Sequence, residues 1–201
     1  MKKFDFRKLR KIKFRKVTVD QLSDKMLLVN LYMTQALTVI IGIIVLLLQG
    51  RNIINLFALP RTWEFALWGG GLAGAVMLAN LAMAKFVPEE AADDGGVNER
   101  MFKGRPIWHI AVLALIISVC EELLFRGALQ HMFGAYWTSI LFAAIHVRYL
   151  RHWIPTGLVF LISYGLGWTM THTGTIWTPI LAHFLIDFVM GCIIRLRRDE
   201  A

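Results

Sequence analysis

The chain has 201 residues, a formal net charge of +8 and 57% hydrophobic side chains. Too little polar surface remains to cover a water-soluble globule, and several apolar runs approach twenty residues. An ordinary soluble enzyme or binding module is excluded, and the expected fold class is all-α, a polytopic membrane protein built as a helical bundle.

The first 25 residues are strongly basic, with Lys2, Lys3, Arg7, Lys8, Arg10, Lys11, Lys13, Arg15, Lys16 and Lys25 interleaved with Phe4, Phe6, Leu9, Ile12 and Phe14. Such a stretch could suggest nucleic acid. Beside a membrane span it is expected to lie on anionic lipid instead, at about 1 kcal/mol per basic residue near the surface. The reading is therefore a basic cytoplasmic segment, 1–25, followed by a single transmembrane domain, 26–201.

Six spans follow from the rule that about twenty apolar residues cross the hydrocarbon core. They are placed at 26–48, 64–87, 107–130, 133–150, 154–171 and 176–194. The first is too long for a signal-peptide core and no A-x-A-like site follows it, so it reads as a retained anchor. In the second, Gly70 and Gly74 form a small-xxx-small pair suited to close helix contact. Pro88 ends that span, and "PEEAADDGGVNER" at 88–100 reads as a solvated loop. Cys120 and Cys192 lie inside spans with no CxxC, which reads as packing.

Lys and Arg set the orientation. Arg100, Lys103 and Arg105, then Arg148 and Arg151, then Arg195, Arg197 and Arg198 join the basic N-terminus on one side. The first-to-second loop has only Arg51 and Arg61, and "THTGT" before the last span has no basic residue. Both termini are expected to be cytoplasmic in a multi-pass cell-membrane protein, and the compact six-span chain points to a bacterial plasma membrane.

Within the third span, "SVCEELLFRGALQ" carries Glu121, Glu122 and Arg126, each costing about 2.5–3.5 kcal/mol at the bilayer centre. Glu122 and Arg126 are four apart on one helical face, the acid N-terminal, whereas Glu121 points about a quarter-turn away. Glu122 can be neutralised locally. Glu121 must be protonated, pair across helices or bind a cation. Later spans supply candidates, because "FAAIHVRY" sets Phe142 and His146 four apart and "LAHFLIDF" does the same for His183 and Asp187. The latter two can converge on one metal or one water. Thr178 and Pro179 suit a helix start about one turn before His183. His109, His131, His152 and His172 lie near span ends and read as interfacial.

The order EExxxR (Glu121, Glu122, Arg126), FxxxH (Phe142, His146) and Hxxx followed by Asn or Asp (His183, Asp187) resembles the CAAX prenyl protease type II and bacteriocin-processing family, also called the Abi family, of intramembrane proteases. The resemblance covers about residues 107–190, the expected protease core. It implies an endopeptidase whose site lies within the bilayer and cleaves a membrane-associated peptide or membrane-protein substrate. It also implies that Glu121 and His146 activate water, while His183 and Asp187 stabilise the oxyanion or hold a metal.

An asparagine at the last position could donate to an oxyanion, but an ionised aspartate only accepts. Asp187 thus favours a divalent ion, with Glu121, His146, His183 and Asp187 as a Zn²⁺ shell, unless it stays protonated in a metal-free mechanism. Depth conflicts with convergence: at 1.5 Å per residue, Glu121 lies about 21 Å, His183 about 16 Å and His146 about 6 Å from the cytoplasmic ends. Either the fourth span continues through "RYLRHW", or the third starts later or bends. A non-enzymatic bacteriocin-immunity or scaffold membrane protein is the alternative. A small transporter is disfavoured because inverted repeats are absent. In a bacterium the expected substrate is a leader peptide, a signalling peptide or a membrane-protein terminus rather than a prenylated tail.

Overall fold

The computed structural model describes residues 23–86, 88, 96–147, 149–150 and 152–196. The basic segment before Ser23, most of the acidic loop, and Arg148, Arg151, Arg197 and Arg198 lie outside them. Among the described residues there are helices and loops and no strand. This is an all-α polytopic membrane fold.

Helix α1 (Asp24–Leu48) starts at Ser23, whose Oγ accepts from the Met26 N–H at 3.2 Å, and Asp24 adds a negative charge to the first turn. A short α2 (Ile53–Leu56) is capped by Asn52, which accepts from the Ile54 N–H at 2.8 Å. Then come α3 (Glu64–Phe86) and the short α4 (Val97–Phe102). Helix α5 (Ile107–Glu122) runs into a π-helical segment (Leu123–Leu129) and on into α6 (Gln130–Ile145). Helices α7 (Trp153–Thr173) and α8 (Trp177–Leu196) complete the chain. Between them Gly174 takes φ 68°, a left-handed value that stops α7 while its N–H still bonds Met170 O at 2.9 Å.

Four stretches are long and apolar enough to cross a membrane: α1, α3, the 39-residue run Ile107–Ile145, and α8. The six-span expectation needs correcting at the fourth span. Gly134 has φ 71° and ψ 170° inside α6, a conformation open to glycine, and there the chain turns back. Phe125 and Phe142 consequently stack edge-on with ring centres 4.8 Å apart, whereas 17 residues of straight helix would separate them by about 25 Å. The returning limb, 135–145, is only about 16 Å long, half of a hydrocarbon core, so the expected span 133–150 is not formed. Helix α7, at the expected span 154–171, has 21 residues but is less apolar than these four, and its Ser163 and Thr169 are buried.

Helix α8 is central, packing against α3, α4, α5 and α7, while the π-helical segment is held by α1 and α6. Without a water-driven force between spans, close backbone approach matters. It occurs at Gly69, where a Cβ would sit 3.0 Å from Thr178 O, and at Gly191, where one would sit 2.7 Å from Ile110 Cγ2. Gly70 and Gly74, expected to make that contact, have nothing within 4 Å of a built Cβ. The small-residue stripe is instead Gly69 with Ala73, one position out of phase. At one end of the bundle Leu27, Met101, Phe102, Ile110 and Leu113 form an apolar cluster. Arg100 pairs with Asp24 at 2.9 Å beside it, and Arg195 donates to Arg105 O at 2.6 Å.

Candidate active site

Glu122, the last residue of α5, is fully buried, and so is Arg126 in the π-helical segment that follows. Arg126 Nη1 donates to Glu122 Oε1 at 3.2 Å. Its Nε lies 3.1 Å from Glu122 Oε2, within ion-pair range but off the line of a hydrogen bond. Arg126 Nη2 turns to α7, donating to Ser163 O at 2.8 Å and Ser163 Oγ at 2.9 Å. The guanidinium also lies over the Phe142 ring at 5.1 Å. The same carboxylate takes a second partner residue from α8, with His183 Nδ1 2.7 Å from Glu122 Oε1. A carboxylate with Arg126 beside it acts as acceptor, so Nδ1 carries the proton given to Glu122, and Nε2 faces Asp187 Oδ2 at 3.6 Å. One buried anion thus ties together α5, the π-helical segment, α7 and α8.

Glu121 stands outside this network. It is half-buried and turned toward α1, where Gln35 Nε2 donates to Glu121 Oε1 at 3.1 Å. His146 ends α6 and is half-buried, with Nδ1 2.7 Å from Phe142 O. A carbonyl oxygen only accepts, so this nitrogen carries the proton and Nε2 holds the lone pair. Phe142 is the wall common to both neighbourhoods: His146 stacks on it at 4.4 Å, His183 meets it edge-on at 6.4 Å, and Phe125 packs at 4.8 Å.

Of the residues singled out in the sequence, Glu122, Arg126, His183 and Asp187 form a continuous chain of contacts, and His146 adjoins it through Phe142. The expected Glu122–Arg126 pairing and the cross-helix partner for Glu121 are both present, although that partner is the amide Gln35. Depth agrees for two of the three residues. Since α8 runs to Leu196, His183 lies about 20 Å from that end, level with Glu121 at about 21 Å from Ile107. Helix α6 stops at Ile145 and does not continue through "RYLRHW". Among the described residues no three His, Cys, Asp or Glu side chains gather closely enough to hold a metal ion. The set Glu121, His146, His183 and Asp187 is therefore not drawn together as a shell in this geometry.

Gln35 and Ser163 were not singled out from the sequence. An amide near the middle of an apolar span signals the first, and the five donors of a buried arginine, more than one carboxylate can satisfy, signal a partner such as the second.

The structure is an all-helical membrane protein in which Glu122, Arg126 and His183 share one buried network, Glu121 lies beside it and His146 joins it through Phe142. A family model for type II CAAX prenyl endopeptidase Rce1-like proteins matches residues 103–189. "Uncharacterized protein YpbD" of Bacillus subtilis (strain 168) is 40% identical over 153 residues, covering 75% of this chain and 80% of that protein. The chain belongs to the Rce1-like CAAX protease family. No solved structure matches it.

Proposed function

We propose that this protein is an intramembrane endopeptidase that hydrolyses a peptide bond of a membrane-associated peptide or protein. The observation that carries the reading is the unequal fate of two neighbouring carboxylates. Glu122 is committed to Arg126 and His183 and holds the site together, while Glu121, among the described residues, meets a single neutral donor and stays available for proton transfer. Glu121 takes a proton from water as the water oxygen bonds to the substrate carbonyl carbon, and the carbonyl electrons move onto oxygen. The proton then passes to the nitrogen as the C–N bond breaks, giving a carboxyl group and an amine. His146 assists through Nε2, its Nδ1–H being held by Phe142 O. Doubly protonated, His183 gives its Nδ1–H to Glu122 and donates its Nε2–H to the oxyanion, and Asp187 joins it as a donor in its protonated form.

The donor geometry does not present a ready metal shell, so no step is routed through Zn²⁺. A zinc version requires Glu121, His146, His183 and Asp187 to close together. Metal content separates the two versions: about one zinc per purified chain, lost in His183→Ala, together with reversible inhibition by a chelator, would establish the metalloprotease. In the metal-free version chelators have no effect, and Asp187→Asn retains or gains activity because an amide can donate to the oxyanion.

For orientation, Asp24, Arg100, Arg105 and Arg195 meet at one end of the bundle. That basic end is assigned to the cytoplasm of a bacterial cell, both termini with it, and segment 1–25 to anionic lipid. Reporter fusions at both termini test the sidedness. The experiment for the activity compares peptide termini in membranes of a deletion strain, the parent, and a strain restored with Glu121→Gln. Termini restored by the parent gene and not by Glu121→Gln support the peptidase. Full restoration by Glu121→Gln rejects it.

A further inference from the structure

Gln35 is a polar residue buried in a span whose other face is given over to lipid, and it lies in α1, outside the residues that match the family. It is only 7% exposed. From Asp24 it is about 17 Å along the helix, near the depth of Glu121 at about 21 Å from Ile107. Its amide has two ends with different fates. Nε2 donates to Glu121 Oε1 at 3.1 Å, while Oε1 is buried with no protein donor among the described residues. A buried amide oxygen without a donor is costly, and interhelical adhesion alone would be served as well by a side chain with no second polar atom. An acceptor held rigidly beside a carboxylate makes a two-point cradle for a water molecule, one hydrogen toward each oxygen.

We propose that Gln35 is a positioning residue for hydrolysis: its N–H fixes the Glu121 carboxylate, and its carbonyl oxygen accepts the second hydrogen of the water that Glu121 deprotonates. This rests on the peptidase reading of Glu121 given above. The proton that moves goes to Glu121, the other O–H bond stays intact and points at Gln35 Oε1, and the water lone pair is thereby aimed at the substrate carbonyl carbon. Gln35 undergoes no covalent change. Helix α1 thus completes a site whose remaining groups all come from residues 121–187.

The test uses the full-length protein in proteoliposomes and a synthetic peptide spanning a terminus that disappears in the deletion strain and returns with the parent gene. Gln35→Leu, of similar volume, should lower kcat per folded molecule by about ten- to a hundredfold, the loss expected for hydrogen bonds to a charged group and its water, with KM within about twofold. In the Glu121→Gln background the same substitution should slow residual turnover no further, because the two act as one unit. Parental kcat in Gln35→Leu overturns the proposal. So does a double variant slower than Glu121→Gln by the full single-variant factor, since Gln35 would then act independently of Glu121. If Gln35→Leu does not accumulate, Gln35→Met, unbranched and apolar, carries the same comparison. Parental cleavage by Glu121→Gln is a separate result that removes the peptidase reading and the Gln35 role with it.

Discussion

Two adjacent glutamates occupy opposite worlds in this protein. Glu122 faces inward, fully buried, and meets Arg126 and His183, and through Arg126 reaches Ser163; Glu121 faces α1 and, among the described residues, meets Gln35. The difference arises from helical phase alone, since one step of about 100° carries a side chain from the interior seam to a neighbouring groove. It teaches that one helical step separates a carboxylate spent on holding helices together from one left with few partners among the described residues.

The comparison is broken most severely at Glu121. Glu121→Gln should reduce turnover by about a hundred- to ten-thousandfold while leaving the melting midpoint and membrane yield of the parent, as read by cleavage of a product-derived peptide and by thermal unfolding in detergent. Glu122→Gln should do the reverse in kind, leaving Arg126 buried without its counter-ion and costing about 3–5 kcal/mol of stability. Equilibrium unfolding should show it, with yield falling in parallel. Pairing that change with Arg126→Met sharpens the contrast, because removing both charges should recover a large part of the loss.

Further from the two carboxylates the effects shrink. Gly134→Ala places a Cβ in open space but on a backbone with φ 71° and ψ 170°, so about 1–3 kcal/mol of strain should appear as lower stability together with reduced activity, through displaced Phe142 and His146. Ser163→Ala removes one of the two bonds that Arg126 makes to α7 and leaves the Ser163 carbonyl in place. A loss of about 1 kcal/mol in unfolding free energy, with kcat unchanged, is the expected result.

Much of the frame was legible in the sequence because apolar runs report helix ends. Helix α1 begins two residues before the expected 26, and α3 ends one residue before 87. The Glu122–Arg126 contact was legible too, because i and i+4 share a face in any helix and nearly so in the π-helical turns here. What escaped is what depends on other parts of the chain. Nothing local to Gly134 announces the positive φ at which the chain turns back, and the burial of Ser163 and Thr169 on α7 depends on the helices packed against it. The cross-helix choice of His183 for Glu122 rather than Glu121 is decided by how α8 is rotated, which one sequence does not record.

The π-helical segment has a consequence for biogenesis. Its Gly127 and Ala128 carbonyls accept from Arg51 and from Gln49 Nε2, the latter at 3.0 Å, both donors lying more than seventy residues earlier just beyond α1. A lone helix in lipid must satisfy every carbonyl from within, so before α1 docks this stretch has reason to be ordinary α-helix. Insertion would therefore deliver α5 into the bilayer with Arg126 and Glu122 not yet in their final register, and only the later meeting of helices would set it. A chain still being assembled would carry the residues of the site without its arrangement until α1 and the C-terminal helices have come together.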